Sequence, residues 1–140
     1  MSSWVEDEAR IQAVLFRDGP ELWRDLKSSL HQAVKDYTRI YSPPGMIEVQ
    51  CTDCASRAEN CVRIRVVPPG KPETSAEVHF SLENQQLECA GKVVFMVAVE
   101  SGEVLFEDMG GTKATIENVS RALLKPLFDK LPRRKPNISA

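Results

Sequence analysis

Hydrophobic residues recur at intervals of three and four along the first part of the chain, a spacing typical of amphipathic helices. Ser3 is followed three residues later by a glutamate, as in a capping box, which predicts that a first helix begins at Trp4. Asp18-Gly19-Pro20 is expected to end this helix, because glycine and proline both disfavour a helix interior. A second helix is then expected to begin at the proline and to end by Ser42. Trp4 and Trp23 are expected to be buried anchors of these two helices.

From residue 46 onward the hydrophobic period changes to two, which predicts half-buried strands. Apolar and polar residues alternate in several segments, at 47–51, 62–66, 78–82 and, more briefly, at Leu87 and Cys89. The run 93–99 is apolar on both faces, which is typical of a fully buried strand, so we expect it to be the central one. Ser101-Gly102 predicts a turn into a last strand at 104–106.

A second helical pattern closes the sequence. Thr115 is a favourable N-cap, so a helix is expected from Ile116 to Leu131, kinked or restarted at Pro126. Together these elements predict an α+β fold with two N-terminal helices, an antiparallel meander of about five to six strands and one C-terminal helix, packed as a two-layer sandwich. We expect residues 1–131 to form this single domain and residues 132–140 to form a flexible basic tail.

The composition limits the classes of function. The chain has 140 residues, 42% of them hydrophobic and 27% charged, and its formal net charge is −2. These values are those of a globular protein, and without a cationic surplus nucleic-acid binding is not expected. No apolar run approaches the roughly 20 residues that span a bilayer, so no membrane interaction is expected. The first residues lack the features of a secretory signal, which predicts a cytoplasmic protein with free thiols.

The run 93–99 also carries the main functional hypothesis. Three helices cover one face of the predicted sheet and only part of the other, where Val94, Met96 and Ala98 would present an uncovered apolar surface. A second copy of the chain, a partner protein or an apolar small ligand would cover it. The sequence therefore predicts a small non-catalytic binding or assembly module, expected to form a homo-oligomer.

Three cysteines form the most specific cluster in the sequence. Cys51 and Cys54 have C-x-x-C spacing and Cys61 follows them, a thiolate set that suits tetrahedral Zn²⁺. The spacing does not reveal a fourth ligand, and the candidates are Cys89, His79, His31 and Asp53. The alternative hypothesis is therefore a zinc- or thiol-dependent protein, against the simpler interpretation that these thiols are inert.

One further motif precedes the closing helix. Gly110, Gly111, Thr112 and Lys113 resemble an anion-binding loop at a helix N-terminus, with Thr112 and Lys113 as the contacts. The spacing does not match a phosphate-binding P-loop, and an ordinary turn is the alternative interpretation. We assign no catalytic residue, because His31 and His79 are the only histidines and neither belongs to a triad motif.

Overall fold

A computed structural model describes residues 3–41, 47–50 and 60–131 of the chain. Within these ranges a long helix comes first, seven strands follow, and a second helix closes the fold. The helices are α1 (Trp4–Tyr41) and α2 (Ile116–Phe128). The strands are β1 (Ile47–Gln50), β2 (Cys61–Val66), β3 (Thr74–Ser81), β4 (Gln86–Cys89), β5 (Lys92–Glu100), β6 (Glu103–Glu107) and β7 (Lys113–Ala114).

The strands form one antiparallel sheet in which each strand pairs with its neighbour in the sequence. The predicted α+β class and antiparallel sheet are therefore confirmed. The hairpin turns at Ala90-Gly91 and Ser101-Gly102 consist of residues with positive φ, as tight two-residue turns require. Five to six strands were expected, and the described sheet has seven because β7 is too short to show an alternating pattern. β5 is the fifth strand in order, so it is an interior strand and not the central one.

Helix α1 is 38 residues long and continues through Pro20, so the prediction of two N-terminal helices separated at Asp18-Gly19-Pro20 is wrong. Ser3 caps its start as expected, since its Oγ accepts a hydrogen bond at 3.1 Å from the backbone N–H three residues further on. Pro20 removes one helical hydrogen bond at a cost of about 3 kcal/mol. Leu15 and Trp23, buried on either side of it, hold the helix on the sheet and offset that cost.

The apolar stripe of α1, the inner face of the sheet and α2 share one hydrophobic core. Trp23 is 4% exposed and stacks on Phe80 with 5.2 Å between the ring centroids. Phe106 meets Phe80 edge to face, and Tyr37 of α1 stacks on Phe128 of α2 at 4.2 Å. Because both helices contribute side chains to this one core, they lie on the same side of the sheet.

The first turns of α1 extend beyond that core. Residues 3–13 are exposed, and the side chain of Trp4 is 73% exposed. The prediction that both tryptophans are buried anchors is therefore confirmed for Trp23 and wrong for Trp4. The helical period alone does not reveal where the sheet beneath a helix begins.

A β-bulge changes which side chains of β5 face the core. Leu87 pairs with Phe95 and Glu88 pairs with Val93, so Val94 is an extra residue opposite the junction of the two pairs. Val94 consequently packs against the core beside Phe95, and Val93 lies on the outer face opposite Glu88. If strict alternation is assumed across a bulge, the residues that precede the bulge are assigned to the wrong face of the sheet.

Helix α2 begins as predicted, because the Thr115 side chain accepts a hydrogen bond at 3.1 Å from the Asn118 backbone N–H. Pro126 lies in its last turn, and the helix ends at Phe128 rather than at Leu131. The predicted tail at 132–140 lies outside the described residues. No helix in the described part of the chain has the length and apolar character needed to cross a membrane.

Candidate functional site

A half-open cavity of about 400 Å³ lies between α2 and the strands β3, β4 and β5. The strands contribute mainly apolar groups to its lining, among them Ala76, Cys89, Val94 and Phe95. Helix α2 contributes Leu123, Pro126 and Leu127 from the opposite wall. The volume falls within the range of about 300–1,000 Å³ that is usual for small-molecule sites.

The β-bulge is what places an aliphatic side chain at this cavity. Without the extra residue, Val94 would alternate onto the outer face of the sheet with Met96 and Ala98. The prediction that these three residues share one surface is therefore wrong for Val94, which lines the cavity. Met96 and Ala98 remain on the outer face, where Ala98 pairs with Leu105 of β6.

Two lysines give the cavity a positive mouth. Lys92 and Lys130 both line it, at the start of β5 and just after α2. A second cavity of about 370 Å³ shares Thr74 and Lys130 with the first and adds Lys71 and the carboxylate of Asp129. Lys125 differs from these lysines because its Nζ lies 3.4 Å from the carboxylate of Asp129. Within the described ranges no ion pair neutralises Lys71, Lys92 or Lys130.

The thiol in the cavity wall contributes packing rather than reactivity. Cys89 is a free cysteine at the end of β4, half-buried beside the core. Burial raises the pKa of the Cys89 thiol above its ordinary value, because the low-dielectric surroundings disfavour the thiolate. The protonated thiol is a poor nucleophile, so Cys89 acts as a small apolar lining group.

The outer face of the sheet carries a separate apolar surface on β5 and β6. Its members are Val93, Met96, Ala98 and Leu105, all half-buried and none of them part of the core. Both helices lie on the other side of the sheet, so neither covers this surface.

The structure places one member of the predicted zinc cluster. Cys51 and Cys54 lie outside the described residues, and Cys61 begins β2. Cys61 is disulfide-bonded, and its partner lies outside the described ranges, so the expectation of free thiols is wrong for this residue. Disulfides are typical of oxidising compartments, and thiol state therefore no longer supports a cytoplasmic location.

Among the candidate fourth ligands, only His79 lies beside Cys61 in the part of the chain that the structure describes. The two residues pair directly across β2 and β3, and His79 Nε2 is 3.9 Å from Cys61 Sγ. Cys89 lies on the inner face of the sheet and His31 lies in α1. Glu77 was not identified from the sequence as a candidate ligand. It precedes His79 by two residues, and this spacing is enough to indicate that both side chains share one face of a strand.

Gly110, Gly111 and Thr112 lie in the connection between β6 and β7, and Lys113 begins β7, so the segment does not directly precede a helix. The carboxylate of Asp108 accepts hydrogen bonds at 2.9 Å from the backbone N–H groups of Gly110 and Thr112. Lys113 Nζ pairs with Glu100 at 3.1 Å. The groups expected to hold an anion thus already have acidic partners within the fold, and anion binding here stays a prediction.

No protein-family model, curated protein sequence or solved structure matches this chain.

Proposed function

We propose that the protein is a small binding module whose cavity between α2 and the sheet accepts a ligand with an apolar body and an anionic group. The observation that carries the proposal is the combination of an apolar lining with two lysines at the mouth, Lys92 and Lys130. Apolar walls favour the removal of a hydrocarbon from water, while a few polar groups orient the ligand.

The charge of the ligand follows from the lysines. An ammonium group that is not in an ion pair can form a charge-assisted hydrogen bond to an incoming anion, and the one carboxylate that lines the neighbouring cavity, Asp129, is paired with Lys125. Lys71 extends the positive surface into the neighbouring cavity through the shared residues Thr74 and Lys130. A carboxylate on an alkyl or aromatic body fits this arrangement better than a neutral or cationic molecule does.

Isothermal titration with decanoate tests the proposal, with decanol as the neutral comparison. We expect saturable binding of decanoate at one site per chain and weaker binding of the alcohol. Val94→Phe should weaken binding by narrowing the cavity, and the double variant Lys92→Glu, Lys130→Glu should remove the preference for the acid. Lys35→Glu, an exposed position on α1, is the matched control and should bind as the wild type does.

Two results would reject this function. One is the absence of saturable decanoate binding by the folded wild type. The other is decanoate binding that Val94→Phe, which narrows the cavity, leaves unchanged, since the ligand would then lie elsewhere.

Self-association is a second candidate function, supported by a different observation. The outer apolar surface formed by Val93, Met96, Ala98 and Leu105 is covered by neither helix. Pairing of two such surfaces about a two-fold axis would bury both at once. Sedimentation of the wild type and of Met96→Lys distinguishes this candidate from the ligand-binding one, because the cavity lies on the opposite side of the sheet.

A further inference from the structure

The outer face of the sheet brings together a cysteine, a histidine and a glutamate. Cys61 pairs directly with His79 across β2 and β3, and Glu77 lies two residues before His79 on the same face. His79 Nε2 is 3.9 Å from Cys61 Sγ and 3.2 Å from Glu77 Oε2. One ligand atom from each residue lies within 4.8 Å of the other two.

The sulfur–nitrogen and nitrogen–oxygen separations are close to the edges of a zinc coordination tetrahedron. With Zn–S near 2.3 Å and Zn–N and Zn–O near 2.0 Å, tetrahedral angles place sulfur and nitrogen about 3.6 Å apart and nitrogen and oxygen about 3.3 Å apart. The observed distances differ from these values by amounts that small side-chain rotations can supply. Thiolate, imidazole and carboxylate are also the ligand types that Zn²⁺ prefers.

Arg63 holds the glutamate in an orientation that suits the site. Arg63 Nη2 lies 3.4 Å from Glu77 Oε1, which leaves Oε2 as the oxygen that faces His79. Contacts of this kind to the non-ligating atom are what orient metal-binding side chains. A thiolate, a carboxylate and one guanidinium leave the group with a net negative charge, so a divalent cation is still attracted.

The redox state of Cys61 determines whether its sulfur can act as a metal ligand. A disulfide sulfur carries no negative charge and cannot act as a thiolate ligand, so the oxidised protein offers only His79 and Glu77. We propose that reduction of the Cys61 disulfide opens a Zn²⁺ site to which Cys61, Glu77 and His79 each contribute one ligand atom.

Atoms and electrons balance in the reduction of the disulfide and in the binding of zinc that follows. A dithiol reductant supplies two electrons and two protons, the S–S bond breaks, and the products are two protein thiols and the disulfide of the reductant. The Cys61 thiol then releases its proton to solvent as the sulfur binds zinc. The site lies on the face of the sheet opposite the apolar cavity, so it does not depend on the function proposed above.

Metal binding by the full chain tests the proposal in both redox states. The protein is reduced with a phosphine, which competes weakly for zinc, and is titrated with Zn²⁺ against a chromophoric chelator beside the oxidised protein. We expect one zinc per reduced chain and affinity at least about 100-fold weaker after oxidation. Co²⁺ in place of zinc should give a thiolate-to-cobalt charge-transfer band only in the reduced protein.

Variants then identify the ligands. His79→Ala and Glu77→Gln should each weaken zinc binding by at least about tenfold, and Cys61→Ser should abolish the charge-transfer band. His31→Ala and Cys89→Ser remove the same residue types elsewhere and should bind zinc as the wild type does. Circular dichroism confirms that each variant is folded, and Glu77→Gln preserves the shape of the side chain.

Several outcomes would overturn the site. These are a folded, reduced wild type that binds no zinc, equal affinity in the two redox states, and zinc binding that His79→Ala and Glu77→Gln leave unchanged. The last result would assign the metal to cysteines alone. A reduced chain that unfolds and that zinc does not refold would also overturn the proposal.

Discussion

The side chain of Leu82, which follows β3, packs directly against Gly19 in the middle of α1. A Cβ added at Gly19 would collide with Leu82 Cδ2 and would lie 3.0 Å from Cδ1. Gly19 is buried between Leu15 and Trp23 on the face of the helix that meets the sheet. The glycine therefore admits a neighbouring side chain at a close helix–sheet contact, and it does not interrupt the helix.

Gly19→Ala tests this contact. Alanine is favoured over glycine in a helix interior by about 1 kcal/mol, whereas forcing extra atoms into a packed site costs about 1–3 kcal/mol. We expect Gly19→Ala to lower the free energy of unfolding by about 1 kcal/mol, measured by urea denaturation. In a Leu82→Ala background the same change should raise the free energy of unfolding, because the colliding atoms are absent. If Gly19→Ala raises the free energy of unfolding while Leu82 is present, the close packing of the two residues is contradicted.

The β-bulge predicts losses of stability of different size for substitutions at Val93 and Val94. Val94→Asp places a carboxylate against the core and should lower the free energy of unfolding by about 1–3 kcal/mol. Val93→Asp has the same intrinsic cost in a strand but directs the carboxylate to the outer face, so its effect should be smaller by at least about 1 kcal/mol. Urea denaturation at low protein concentration compares the two. Equal losses, or a larger loss for Val93→Asp, would show that β5 alternates without a bulge.

The raised pKa of the Cys89 thiol predicts a pH dependence of stability. Burial disfavours the thiolate, so the unfolded chain loses this proton near its ordinary value of 9.0 and the folded chain loses it at higher pH. Folding therefore becomes less favourable as the pH rises above 9.0, while below that pH the thiol is neutral in both states. The free energy of unfolding of the wild type should fall relative to that of Cys89→Ser as the pH rises through this range. A difference between the two proteins that stays constant with pH would show that Cys89 is not desolvated.

Met96→Lys tests whether the outer apolar surface joins two copies. Burying an ammonium group in an interface is costly even when a carboxylate lies beside it, as Glu107 does opposite residue 96, so the variant should shift sedimentation equilibrium toward monomer. Its helical circular dichroism should remain, because Met96 is not part of the monomer core. Ser28→Lys adds the same charge at an exposed position of α1, on the other side of the sheet from the outer apolar surface, and is the matched control. A wild type that stays monomeric at high concentration, or global unfolding of Met96→Lys, would exclude this interface.

The candidate sites were only partly visible in the sequence. Cys61 and His79 were both recognised as possible ligands, but nothing in their spacing showed that they pair across two strands. That pairing depends on the register of β2 and β3, which is set by the packing of the whole inner face. Lys92 and Lys130 were not recognised as a pair for the same reason, since they meet only where α2 docks beside the bulge.

The sequence by itself determined the type and order of most elements. Periods near 3.6 and of 2 reflect which side chains share a face, and the caps at Ser3 and Thr115 and the turn at Ser101-Gly102 satisfy local backbone geometry. These preferences act over a few residues, so they can be read locally.

Only the tertiary structure decided the continuity of α1 through Pro20 and the side of the sheet that Val94 occupies. Pro20 costs α1 one helical hydrogen bond, and the β-bulge interrupts the hydrogen bonding between β4 and β5. Burial against residues distant in the sequence offsets both penalties. The energy that settles each outcome comes from contacts that form only when the chain is folded, and no local pattern contains it.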